Sequence, residues 1–333
     1  MVTMGIALAL VSGLCNGLFT TPMKLEPRWK WENTWVVFIL VACLMMPAAV
    51  VLSGSSSWFK ALTQAPRYAV LAALLFGFAW GFGAICFGKS VHSIGVSMAN
   101  TLVIGLSSAL GSLVPLLMKT EVHLGTKEVV LFVGVIALLL GVVVCGKAGR
   151  IRDAQQETAA VPSAKGYLFA VAAGVMSAIF NIGYTLALPI SDTGVAAGLS
   201  RFAATNLIWL LMLGAGSVPN IAYCALLMGR NHTASLLRSS GSWSSWGRSS
   251  AMGLLWGGSI FLYGAATPRL GGLGPSVGWP LSLAVGLVVA NLMGVLLGEW
   301  RGSAPRAVKL MWVGVGISLS AIVLCGISAR FTE

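Results

Sequence analysis

The feature that most limits this chain is the recurrence of apolar runs about as long as a bilayer is thick. They lie near residues 3–23, 33–53, 68–91, 94–118, 126–147, 166–189, 195–217, 249–267, 275–298 and 307–329. A helix of about 20 mostly apolar residues crosses a hydrocarbon core. In lipid every backbone polar group needs an internal partner, which a helix supplies. Only 9% of the 333 residues are charged, against about 25% in a soluble domain. The sequence predicts an all-α integral membrane protein with ten transmembrane helices. The first run has no basic segment before it and is too long for a secretion signal, so it is expected to stay as the first span.

The chain resembles itself. ALVSGLCNGLF (9–19) aligns with AVAAGVMSAIF (170–180) without a gap, pairing Gly13 with Gly174 and Phe19 with Phe180. FGKSVHSIGVS (87–97) resembles YGAATPRLGGLGPS (263–276) with three residues inserted. An internal duplication gives two five-helix repeats, 1–147 and 166–333, around a polar cytoplasmic linker at 148–165. The Ser-, Gly- and Arg-rich stretch 230–248 reads as a flexible cytoplasmic loop. Five is odd, so the second copy enters the membrane inverted, a plan that places a substrate near mid-membrane at the repeat interface. Connections on one side hold 14 Lys and Arg, and the other side, with both termini, holds 6. Cytoplasmic loops collect such charges, so both termini are expected in the periplasm. The same bias explains the net charge of +12 without a nucleic-acid partner.

Polar and aromatic residues inside the runs are the candidates for chemistry. Asn16, Asn100, Asn181, Ser259 and Tyr263 offer amides and hydroxyls, and Trp80, Trp256 and Trp279 offer flat faces. A sugar needs both, the first for its hydroxyls and the second for its C–H face. Interhelix hydrogen bonding and interfacial anchoring are the ordinary uses of such residues. Gly13-x-x-x-Gly17 and GFAWGFG (77–83) allow close helix approach. Pro280 is expected to break or kink the ninth span. Arg201 falls one or two turns inside the seventh. The stretch KLEPRWKWENTW (24–35) reads mostly as a collar, with cytoplasmic cations and Trp29, Trp31 and Trp35 in the aromatic belt. Glu32, opening the second span, is the candidate for proton coupling, since burial can raise a carboxyl toward neutrality. Six scattered cysteines and three separated histidines form no metal-ligand or nucleophile pattern, so no metal, disulfide or enzyme activity is expected.

FTTPMK and WKWENTW after the first span, FGFAWGFGAICFG in the third, SIGVSM opening the fourth and GEWRG closing the ninth carry a resemblance. With the five-plus-five plan, the chain resembles the L-rhamnose–proton symporter family of the drug/metabolite transporter superfamily, over essentially its whole length. The resemblance implies import of a 6-deoxyhexose by proton symport across a bacterial inner membrane. It also implies a central cavity built from spans of both halves. Trp80, Trp256 and Tyr263 match the family pattern. Ala84 and Ser259 depart from it, standing where rhamnose-transporting members carry Asn and Gln.

The expected function is therefore a secondary active transporter for L-rhamnose or a related sugar, working by alternating access as a monomer or homodimer. The proton is its coupling ion and no cofactor is implied. The alternative is a sugar or metabolite facilitator or exporter without proton coupling.

Overall fold

Seven helical segments are long and apolar enough to cross a membrane, by length and composition, among the described residues. The computed structural model describes residues 2–54, 57–117, 125–155, 164–269 and 279–328. Over these the regular elements are helical. They are α1 (Val2–Leu18), α2 (Thr21–Lys24), α3 (Trp31–Ile39), α4 (Met46–Gly54), α5 (Trp58–Gln64) and α6 (Arg67–Leu117). There follow α7 (Thr126–Gln155), α8 (Ala164–Ala196), α9 (Arg201–Arg230), α10 (Trp243–Arg269), α11 (Trp279–Leu296) and α12 (Pro305–Ser328). A π-helical turn, Leu40–Met45, joins α3 to α4 just before Pro47. Pro47 has no N–H to donate, and a widened turn is a usual accommodation inside a long apolar helix.

The longest element is two helices joined at a kink. Gly95, at φ 87° and ψ 168°, interrupts α6. That left-handed φ is open to glycine and strained for other residues.

The chain forms two compact units. The first comprises Met1–Leu18, Cys86–Ala178 and Ser259–Glu333, and the second Phe19–Ile85 and Ile179–Gly258. In the first unit α7 packs on α12, α1 on α11, and α11 on α12. Glycines set the first two contacts. A side chain at Gly141 would overlap Ser318 and the Gly314 carbonyl, and one at Gly13 would overlap Ser282 and Val285. The apolar centre of this unit gathers Ile104, Leu138, Leu287 and Ile322. In the second unit α3, the π turn, α4 and α5 pack on α9. Here Gly77 and Gly81 bring α6 against Met212, Gly216 and Pro219 of α9.

Close approach of this kind holds helices together in lipid, where burial of apolar surface does not. Gly77→Ala should therefore lower the stability of the detergent-purified protein by about 1–3 kcal/mol through overpacking. Gly214, with nothing within 4 Å of its would-be Cβ, is the control: Gly214→Ala should not lower the thermal midpoint. Equal midpoints for both variants would refute the packing role of Gly77.

Local structure adds detail at several of the positions singled out in the sequence. Residues 148–155 of the expected linker continue α7, and 164–165 begin α8; residues 156–163 lie outside the described residues. Arg201 is the first residue of α9 and pairs at 3.1 Å with Asp192, both side chains being well exposed. Pro280 is the second described residue of α11; the expected break or kink of the ninth span adjoins residues 270–278, which lie outside the described residues. The stretch 230–248 is not a loose loop. It contains a 3₁₀ turn, Ala234–Arg238, and the start of α10, and it is tied to residues 26–33 by the contacts described next.

Candidate functional site

The collar residues are folded inward. Trp29, Trp31 and Trp35 are buried rather than turned to a lipid belt. The Trp29 indole N–H donates to the Leu236 carbonyl at 3.1 Å, and its ring meets Trp246 edge-on. Trp31 stacks on Trp35 with centroids 5.4 Å apart. Trp35 donates to Asn220 Oδ1 at 2.9 Å. The Asn220 amide in turn donates to the carbonyls of Gly81 and Gly216. One fully buried amide thus joins α3, α6 and α9. Sequence reading passed over it because Asn220 lies just beyond the seventh apolar run, 195–217, without a local motif.

Two carboxylates anchor this part of the second unit. Glu26, whose side chain is 2% exposed, accepts from the backbone N–H groups of Arg28 and Trp29, from Ser245 Oγ and from the Arg248 guanidinium. Burial pushes its carboxyl up, but the bonds from Ser245, Arg28, Arg248 and Trp29 outweigh burial and hold it below the ordinary carboxylate value. Glu32, in the first turn of α3, is buried. Its Oε1 accepts from Asn231 Nδ2 at 2.8 Å and Thr233 Oγ1 at 2.9 Å. An acid near a helix N-terminus also sits favourably in the helix dipole.

Above these anchors runs a row of rings. Trp80 of α6 and Trp256 of α10 stack on each other, centroids 5.6 Å apart and planes within 15°. Phe180 tilts against Trp80 at 5.0 Å, and Trp209 stacks on both Phe180 and Tyr184. Phe38 meets Trp256 edge-on. Gly216 makes room for Trp80, whose ring a side chain there would overlap. Trp80 is buried, while Trp256, Trp209 and Tyr184 are half-buried. A sugar ring held between two indoles needs about 7–8 Å, twice the 3.5–4.0 Å carbon contact distance. The Trp80–Trp256 pair is closed to such an insertion and offers outer faces only.

The remaining candidates fall in the first unit or outside the described side chains. Asn100 is buried and donates to the Val96 carbonyl of its own helix at 2.9 Å. Asn16, half-buried on α1, lies beside Gly286 of α11. Ser259 is buried, and its carbonyl accepts from Ser12 at 2.7 Å. Tyr263 is half-buried on α10. The side chains of Asn181 and Trp279 lie outside the described residues.

The first unit also holds a polar cluster at the α6 break. The Glu299 carboxylate accepts from the N–H groups of Val96 at 2.7 Å and Ser97 at 3.1 Å. The buried Arg152 guanidinium donates to the Ile94 carbonyl at 3.1 Å and lies 5.0 Å over the Trp300 ring. Fully buried Asn291 accepts from Ser97 and donates to Thr101.

A family model for the L-rhamnose-proton symport protein matches residues 1–329. The chain belongs to that family. Proteins named L-rhamnose-proton symporter are similar throughout: that of Cronobacter sakazakii is 26% identical over 344 residues, covering 98% of this chain and 97% of its own. That of Escherichia coli K12 is 24% identical over 344 residues, with 98% of each chain covered. That of Klebsiella pneumoniae strain 342 is 24% identical over 337 residues, again with 98% of each chain. The L-rhamnose-proton symport family is one of transporters.

Proposed function

We propose that the protein imports L-rhamnose or a related 6-deoxyhexose by proton symport with alternating access. The observation that carries this reading is the Trp80–Trp256 stack, two indoles face to face within apolar helices of a chain whose relatives are named L-rhamnose-proton symporters. The half-exposed face of Trp256 is the platform for the sugar's C–H face, backed by Trp80. Asn16, Asn100, Asn181, Ser259, Tyr263 and Trp279 are the proposed further substrate contacts, and Glu32 the proton-coupling carboxylate.

Ten crossings in two inverted repeats, with both termini in the periplasm of a bacterial inner membrane, complete the proposal. The apolar segment Arg67–Ser107 is 41 residues long and contains the Gly95 break, so it supplies two crossings. α10 and α11 add the remaining two. The boundaries of the compact units support duplication. They fall after Leu18 and Ala178, positions that correspond to within two residues when Phe19 is aligned on Phe180.

Purified protein in liposomes tests the reading. With acid outside, a gradient of one pH unit should sustain about a tenfold accumulation of labelled L-rhamnose at one proton per sugar, because 1.4 kcal/mol is a factor of ten. Collapse of the gradient should abolish it; indifference would favour the facilitator or exporter. Glu32→Gln should lose accumulation while keeping sugar exchange. Undiminished accumulation in that variant would remove Glu32 from the coupling step.

A further inference from the structure

We propose that one end of the second unit is a docking surface for the phosphate headgroup of an anionic phospholipid, held by Arg28 and Arg238 with the Trp243 indole as its anchor. The start of α3, the end of α9 and the start of α10 are tied together there by the hydrogen bonds of Glu26, Glu32 and Asn33. The two stretches involved, 20–33 and 228–250, carry Lys24, Arg28, Lys30, Arg230, Arg238 and Arg248 against Glu26 and Glu32. Both acids are turned inward: the Glu26 side chain is 2% exposed and Glu32 is buried. Arg248 pairs with Glu26 and is half-buried, while the other five cations are exposed. The surface is therefore positive, with no exposed acid among the described residues of these stretches. The other end of the unit mixes signs, with exposed Asp192 beside Arg201.

Cations that only set topology can lie anywhere in a connection. Here they surround a shaped site. A cavity of about 770 Å³ is lined by Arg238, Ser239, Ser240, Ser242, Trp243 and Trp246. Arg28 reaches its rim and donates to the Gly241 carbonyl at 2.8 Å, which uses one of the five N–H donors of a guanidinium. The Trp246 indole donates to the Leu237 carbonyl at 3.0 Å, and the Ser242 N–H donates to the Ser239 carbonyl at 3.1 Å. The rim is thus held before any ligand arrives. Guanidinium groups bind phosphate through short, charge-assisted hydrogen bonds, and serine hydroxyls add neutral donors.

Trp243 is 86% exposed, the most exposed large apolar side chain among the described residues. Tryptophan is well buried on average, and Trp29, Trp31 and Trp246 of the same stretches are buried or half-buried. Indoles settle at the headgroup level of a membrane, which satisfies both the apolar ring and the N–H. Trp243 stands six residues before the apolar run 249–267, about 9 Å along a helix. That is close to the headgroup layer, which extends about 5–8 Å beyond the hydrocarbon. An exposed indole beside two guanidinium groups and three serines fits a ligand with an apolar side and a phosphate. A free phosphate would leave the indole unused.

The test titrates the full-length protein in detergent micelles with brominated phosphatidylglycerol or brominated phosphatidylcholine and reads the quenching of tryptophan fluorescence. Wild type should be quenched more strongly by the anionic lipid, and about 0.5 M salt should screen out the difference. Trp243→Phe should lose the difference as well. Arg28→Gln and Arg238→Gln should each weaken the phosphatidylglycerol response about fivefold. Lys60→Gln, on α5 past the far end of α4, should match wild type. Equal quenching by the two lipids, or an undiminished difference in Trp243→Phe, overturns the docking surface. Displacement of the anionic lipid by millimolar inorganic phosphate at matched ionic strength overturns the lipid as occupant. Should Arg28→Gln fail to fold, Arg238→Gln decides, since it changes an exposed side chain: a fivefold loss supports the docking surface, and a wild-type response overturns it.

Discussion

Trp256→Ala is expected to weaken L-rhamnose binding about thirtyfold, a loss of about 2 kcal/mol of the kind that removing a central Trp anchor produces. Trp256 is half-buried, unlike Trp80, so its removal should leave the bundle folded. Trp256→Phe keeps a ring on Trp80 and should recover most of the affinity. Trp80→Ala differs in kind. That ring is 9% exposed and fills the space left by Gly216, so its loss should cost about 3–5 kcal/mol of stability, as for other buried aromatics. Titration calorimetry and thermal unfolding in detergent separate the two effects. An unchanged dissociation constant for Trp256→Ala would end the platform assignment.

The second large effect is expected at Glu26. Glu26→Ala removes the acceptor for Ser245, Arg248 and two backbone N–H groups at once. Hydrogen bonds to a charged group contribute about 1.5–3 kcal/mol each and are not additive; a total loss of about 3 kcal/mol is expected. The pH dependence has a definite sign. The folded-state carboxyl titrates below its ordinary value, which is about 4.3 in an unfolded chain. Its stabilisation is then complete above that value and is lost as pH falls toward the lowered one. Wild type should therefore lose thermal stability on acidification through this window more steeply than Glu26→Ala. Parallel slopes for the two proteins would contradict the account.

The helices were legible because bilayer-length apolar runs need only local information. The same holds for Gly13, Gly17, Gly77 and Gly81, whose spacing announces close packing before any partner is known. What could not be read lies in partners far along the chain. The 230–248 stretch has the composition of a loose loop, and Glu26, Arg28, Trp29, Glu32 and Asn33, about 200 residues away, hold it in place. For the same reason the three collar tryptophans matched an interfacial pattern while their partners, Leu236, Asn220 and Tyr223, lay out of sight. Trp80 and Trp256 were recognisable as candidates, but not their stacking on one another. Glu299 could be flagged only as a charge ending a span; the amides it holds belong to a break 203 residues earlier.

The Glu26 anchorage bears on how the protein is made. Its oxygens meet Ser245 and Arg248 across 219 and 222 residues of chain. A ribosome adding about 5–20 residues per second delivers those partners roughly 10–40 s after Glu26 has emerged. For that interval Glu26 has only the neighbouring Arg28 and Trp29 amides to hold, and assembly of the second unit has to wait for the start of α10.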